Sequence, residues 1–173
     1  MMQHAGKIAG GIAILLSAAF VTGTMAVAEG GEQKPKGGWV TGAPDDATRF
    51  KHIEKYLRGF DQPMWEVGER YEKIHDALSR RNFDLALYHW DKIKVTIENG
   101  TMKRPARKAN ADAMFLDETW QDLRDDFASR NSARAWAAFG RARTTCMACH
   151  QAEQVEFVND QSLFQDLLPP ESD

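Results

Sequence analysis

The residues most suited to chemistry stand close to the C-terminus, in the run Cys146-Met147-Ala148-Cys149-His150. Two thiols three residues apart on a helix share one face, and a histidine follows at once. This is the C-x-x-C-H pattern of c-type haem attachment. Both thiols reach the two vinyl groups of one porphyrin, and His150 reaches the iron from beneath the ring. Other readings fit less well. A structural disulfide between the two cysteines closes a very tight loop. A thioredoxin-like redox pair expects a βαβ setting, and none is visible. A zinc site needs a further ligand pair, and there is no second Cys-x-x-Cys. The expectation is one covalent haem c held by Cys146 and Cys149, with His150 as the proximal iron ligand.

The elements that must position these residues read as helices. Phe50, Ile53, Leu57 and Phe60 step by three and four, over a short helix at about residues 45–58, and Gly59 interrupts it. Asp61 then caps a second helix with Pro63 in its first turn, where a missing N–H costs nothing. Its apolar face is Met64, Val67, Tyr71, Ile74 and Leu78. A third helix starts at the N-cap Asn82 and carries Phe83, Ala86, Trp90, Ile93 and Ile97. Asn99-Gly100 ends it, the glycine suiting a left-handed C-terminal position. A basic loop at 101–108 contains Pro105. A fourth helix follows over about 109–129, with Ala113, Leu116, Trp120, Leu123 and Phe127 in register. Asn131 or Ser132 caps the last helix, whose stripe is Ala135, Phe139, Ala142, Cys146 and Cys149. Both cysteines therefore continue an apolar face, which turns the haem toward the interior. Only residues 155–158 hint at a strand. The fold class is all-α: an antiparallel four-helix bundle with a short N-terminal helix and an irregular C-terminal tail.

Composition agrees with a globular domain. Of 173 residues, 43% are hydrophobic and 27% charged, and the formal net charge of −3 argues against a nucleic-acid partner. Residues 1–28 hold one formally charged side chain, Lys7, then an apolar run and the small residues Ala26-Val27-Ala28. That is a secretory signal peptide cut after Ala28, with an uncleaved anchor as the alternative. The reading divides the chain into a signal peptide at 1–28, a Gly-, Lys- and Glu-rich linker at 29–44 and a haem-binding helical domain at 45–173. Export agrees with the motif, because c-type haem is attached outside the cytoplasm. The expected location is periplasmic, with no stable membrane insertion after cleavage.

Motif position excludes the common small-cytochrome arrangement, in which a ligating Met lies downstream. The segment after His150 contains neither Met nor His, so a sixth protein ligand must come from upstream. On these features the chain resembles the cytochrome c-prime type, exported four-helix bundles with one haem on the last helix. It resembles more closely a less characterised group of exported monohaem proteins. The shared stretches are Ile53-Glu54-Lys55-Tyr56-Leu57-Arg58-Gly59-Phe60-Asp61 and Cys146-Met147-Ala148-Cys149-His150-Gln151-Ala152-Glu153, within about residues 50–157. The resemblance implies haem binding with either electron transfer or small-gas binding, and leaves a homodimer open. Two departures stand out. A segment at 29–60 precedes the second helix, and an apolar tail follows the motif with Phe157, Leu163, Phe164, Leu167 and Leu168. Either is placed to cover the haem edge and close the open distal pocket of that type.

Met64 is the first candidate for the distal iron ligand. It lies in phase with its stripe, and related bundles use a Met near the start of the first helix. Plain core packing is the competing fate. His52 ranks second. His75 and His89 sit beside their stripes, and Met102 and Met114 rank lower. Arg143, with Arg141, is a candidate partner for a haem propionate. Lys103, Arg104, Arg107 and Lys108 form a basic cluster that reads as a charged turn or as a steering patch for an acidic redox partner. Trp90 and Trp120 are core residues that could border the haem. No catalytic group is identified, so the expectation is not an enzyme. It is a periplasmic electron carrier whose redox partner the sequence does not identify. A gas-binding (NO or CO) protein and the haem subunit of a larger redox complex stay open.

Overall fold

In a computed structural model that describes residues 37–168, the N-terminal signal-peptide reading, residues 1–28, lies outside the described residues. So does the linker reading as far as residue 36. From residue 37 the chain makes turns that pack on the first helix. Arg49 Nε donates to the Val40 carbonyl at 3.1 Å, and the Trp39 ring lies 5.1 Å from Tyr56.

Helix α1 (Asp46–Leu57) starts where Asp45 accepts the Thr48 N–H at 2.7 Å. It buries none of its residues. Helix α2 (Asp61–Ser79) buries Val67, Tyr71, Ile74 and Leu78, the expected stripe, with Met64 half-buried. Asp61 does not cap from outside the helix. The turn at Gly59 starts the helix at Asp61 itself, and its carboxylate folds back to accept the Gly59 N–H at 3.2 Å. Helix α3 (Phe83–Lys103) is capped by Asn82 onto the Leu85 N–H, and α6 (Ser132–Ala152) by Asn131 onto the Arg134 N–H.

Two expected boundaries differ. Gly100 does not end α3; the helix runs on to Lys103 and Gly100 is buried within it. A Cβ at Gly100 would meet the Phe60 ring at 2.8 Å and 2.9 Å, so this glycine serves close packing rather than a left-handed turn. The left-handed ends belong to other residues. Arg58, Arg81, Arg130 and Gln154 have φ of 55–58° just beyond α1, α2, α5 and α6.

The expected helix over 109–129 is broken. After a 3₁₀ turn (Pro105–Arg107), α4 (Lys108–Ala111) leads into a π-helical stretch (Asp112–Leu116) and then α5 (Thr119–Ala128). The wide turn closes with the Asp117 N–H on the Asp112 carbonyl at 3.1 Å. It shifts the register by a residue. Ala113 is exposed, whereas Ala111, Phe115 and Leu116 are buried. After α6 a 3₁₀ turn (Glu156–Asn159) replaces the weak strand signal, and α7 (Ser162–Gln165) orders part of the expected irregular tail.

The fold is all-α, with no strand among the described residues. Helix α2 packs on α3, α3 on α5, α5 on α6 and α6 on α2. Ile74, Trp90, Ile93, Leu123, Phe127 and Phe139 fill the space between them, each almost fully buried. Trp90 Nε1 donates to the Trp120 carbonyl at 3.1 Å, and Trp120 Nε1 returns a bond to the Trp90 carbonyl at 3.4 Å. Tyr71 crosses the core to donate from its hydroxyl to the Phe139 carbonyl at 2.8 Å, with the two rings stacked 4.1 Å apart.

Candidate functional site

The register of α6 carries Ala135, Ala138, Phe139 and Ala142 into the core, and one or two turns later brings Cys146, Cys149 and His150 to its edge. There the three side chains open into a cavity of about 510 Å³. The volume lies within the usual range of small-molecule and cofactor sites. Its walls are mostly apolar and come from distant segments: Phe60, Met64, Val67 and Tyr71 around α2, Ile97 on α3, Ala111 and Phe115 near the π-helical stretch.

The tail supplies the remaining wall because the chain reverses at the end of α6. The Val155 N–H bonds the His150 carbonyl at 2.9 Å around the left-handed Gln154. This is the Schellman pattern, with Gln154 where glycine is usual. The reversal lays Val155, Phe157, Val158, Leu163 and Phe164 along the cavity. Leu163 approaches α2 at Gly68, where a Cβ would lie 3.3 Å from it. Of the apolar tail residues singled out in the sequence, Phe157, Leu163 and Phe164 line the cavity. Leu167 and Leu168 do not line it.

Cys146 and Cys149 are free thiols. Burial, with the neighbouring Cys149, pushes the Cys146 thiol up to about 12. Burial and the Glu153 carboxylate also raise Cys149, against an opposing pull from Arg107. A disulfide-exchange pair requires a thiol lowered toward the thiolate. These two stay protonated, which disfavours redox chemistry between them. His150 Nδ1 lies 2.7 Å from Asn159 Oδ1, and the imidazole meets the Phe164 ring edge-on at 5.6 Å. Among the described residues, no three His, Cys, Asp or Glu side chains gather as a metal cluster.

Of the distal-ligand candidates, Met64 lines the cavity. His52, His75, His89, Met102 and Met114 do not. His52 Nδ1 faces the Trp39 carbonyl at 2.8 Å, and His75 Nε2 lies 3.2 Å from the Leu168 carbonyl. Met102 is among the most exposed apolar residues. Arg143 is outside the lining; its Nε donates to the Phe164 carbonyl at 2.6 Å and so holds a residue that is in the wall. Arg141 pairs with Asp126. Trp90 and Trp120 do not reach the cavity.

The cationic residue that does reach it is Arg107. Its guanidinium pairs with Glu153 at 2.5 Å, and Asn110 Nδ2 donates to the other Glu153 oxygen at 2.8 Å. This clamp joins the turn before α4 to the residue that closes α6. Arg107 appeared in the sequence only as one of four basic loop residues. The pairing spans forty-six positions, and no local pattern announces it. The other members are tied elsewhere: Lys103 to the Leu57 carbonyl, Lys108 to Asp112, and Arg104 to the Lys103 carbonyl. No protein-family model, curated protein or solved structure matches this chain.

Proposed function

We propose that this protein is a c-type monohaem cytochrome of the exported compartment that carries single electrons. The observation that carries the reading is the shared cavity: both thiols, His150 and Met64 open into one mostly apolar space of about 510 Å³. Cys146 and Cys149 would hold the haem through thioethers, His150 would be the proximal iron ligand and Met64 the distal one. Bound haem supplies one-electron redox chemistry, and His/Met ligation favours electron transfer over binding of external ligands.

The chain's own residues suit this role. The mostly apolar walls suit the apolar faces of a porphyrin. Tyr71, the buried phenol in the wall, donates its hydroxyl hydrogen bond to the Phe139 carbonyl. Burial raises it further from ionisation. It is therefore not a free proton donor of the kind that peroxide or oxygen chemistry needs. Trp65 and Phe157 line the cavity yet are 75% and 73% exposed, an apolar rim for a partner protein. No helix among the described residues is long and apolar enough to cross a membrane.

The test is an absorption spectrum, oxidised and reduced, with and without carbon monoxide, on protein matured in a haem-attaching host. A low-spin spectrum that ignores carbon monoxide supports the carrier. A high-spin spectrum that shifts with carbon monoxide replaces it with gas binding. Cys146→Ser with Cys149→Ser should abolish haem that survives denaturing electrophoresis. Haem retained by that variant would refute covalent attachment at this motif.

A further inference from the structure

His150 has two ring nitrogens, and the tail settles which one carries the proton. Nδ1 lies 2.7 Å from the side-chain oxygen of Asn159. The orientation of that amide follows from its other end, where Asn159 Nδ2 donates to the Met147 carbonyl at 3.2 Å. An amide whose nitrogen faces a carbonyl turns its oxygen to the ring. The oxygen only accepts, so Nδ1 carries the proton. In a neutral imidazole the lone pair is then left on Nε2. We infer that Asn159 is a positioning residue for His150: it selects the Nδ1–H tautomer, aims the ring and makes Nε2 the stronger donor.

The role rests on the haem reading above, and the chain is built to hold it. Asn159 ends the 3₁₀ turn that follows the reversal at Gln154. Its carbonyl accepts from Gln165 Nε2 at 3.1 Å. Phe164 stands against the imidazole at an interplanar angle of 80°, and its own carbonyl is held by Arg143. Arg143 thus acts on the proximal side through the tail. A histidine that ligates a metal commonly donates its second N–H to such an outer partner, which orients the ring and raises its basicity.

The partner's acceptor strength should therefore set the reduction potential. In the full chain with its haem, Asn159→Asp offers a stronger acceptor and should lower the midpoint potential. Asn159→Leu offers none and should raise it. Each change should be about tenfold in the equilibrium constant for reduction, about 59 mV for one electron. His75→Gln changes a tail contact that touches neither Asn159 nor the cavity, the one to the Leu168 carbonyl, and should leave the potential in place.

Potentials that stay put, or that move the same way in Asp and Leu, would overturn the role of Asn159 while covalent haem persists. So would a His75→Gln shift equal to that of Asn159→Leu, which would mark a purely structural effect. If Asn159→Leu does not accumulate, Asn159→Asp decides alone, and a potential that fails to fall refutes the role. A wild-type chain that matures without covalent haem would instead overturn the haem reading, and this role with it.

Discussion

Gly100→Ala sets helix propensity against packing, and the structure decides the sign. Glycine inside a helix costs about 1 kcal/mol relative to alanine, so the substitution in isolation stabilises. Here the added methyl would lie 2.8 Å and 2.9 Å from two atoms of the Phe60 ring, and 3.3 Å from Pro63 Cβ. Neither neighbour yields freely. Pro63 is buried in the first turn of α2, and Phe60 packs against the core and lines the cavity. Overpacking of this kind costs about 1–3 kcal/mol. The net expectation is a loss of about 1 kcal/mol, or about 4 °C in Tm for a domain of this size. The assay is thermal unfolding of the full chain followed by far-ultraviolet circular dichroism. Phe60→Leu should relieve the clash, so the double variant should be more stable than the two single losses added together. A Gly100→Ala protein that gains about 1 kcal/mol would refute the close approach. The glycine would then be an ordinary helix defect.

Met64→Ala should convert a six-coordinate iron to a five-coordinate one that binds carbon monoxide; an unchanged spectrum removes Met64 from the iron. Glu153→Ala strips Arg107 and Asn110 of their shared acceptor at the cavity edge. It should cost about 1–3 kcal/mol, seen as a lower denaturant midpoint at constant slope. His89 has a buried Nδ1 with no hydrogen-bond partner, and burial, then Arg70 and Lys73, hold the ring below its ordinary 6.5. The unfolded chain therefore takes up that proton more readily, and its contribution to stability falls as pH drops through 6.5 toward the lowered native value. His89→Gln should lessen the loss of denaturation free energy between pH 7 and pH 5. An unchanged pH slope would show that His89 titrates alike in both states.

What could be read without the fold was whatever depends on near neighbours. The stripe of α2 and the caps Asn82 and Asn131 are patterns over three or four residues, and the structure has them where the sequence put them. The motif at Cys146, Cys149 and His150 is local in the same way, so its residues could be singled out at once. Helix ends were less visible, because this chain places arginine or glutamine where a left-handed glycine would mark a stop. The glycine expected to end α3, Gly100, is needed for contact with Phe60, which no spacing rule registers.

By itself, then, the sequence determined the helical class, the main apolar faces, the grouping of two thiols and an imidazole on one helix and the phase that points Met64 inward. Only the tertiary structure decided what meets at the cavity. The π-helical stretch rotates Phe115 into its wall. Arg107 comes to it through Glu153, and the reversed tail brings Asn159 to His150. These contacts join segments whose separation along the chain carries no periodic signal. They exist because packing the helices buries apolar surface and requires each polar group left at the edge to find a partner.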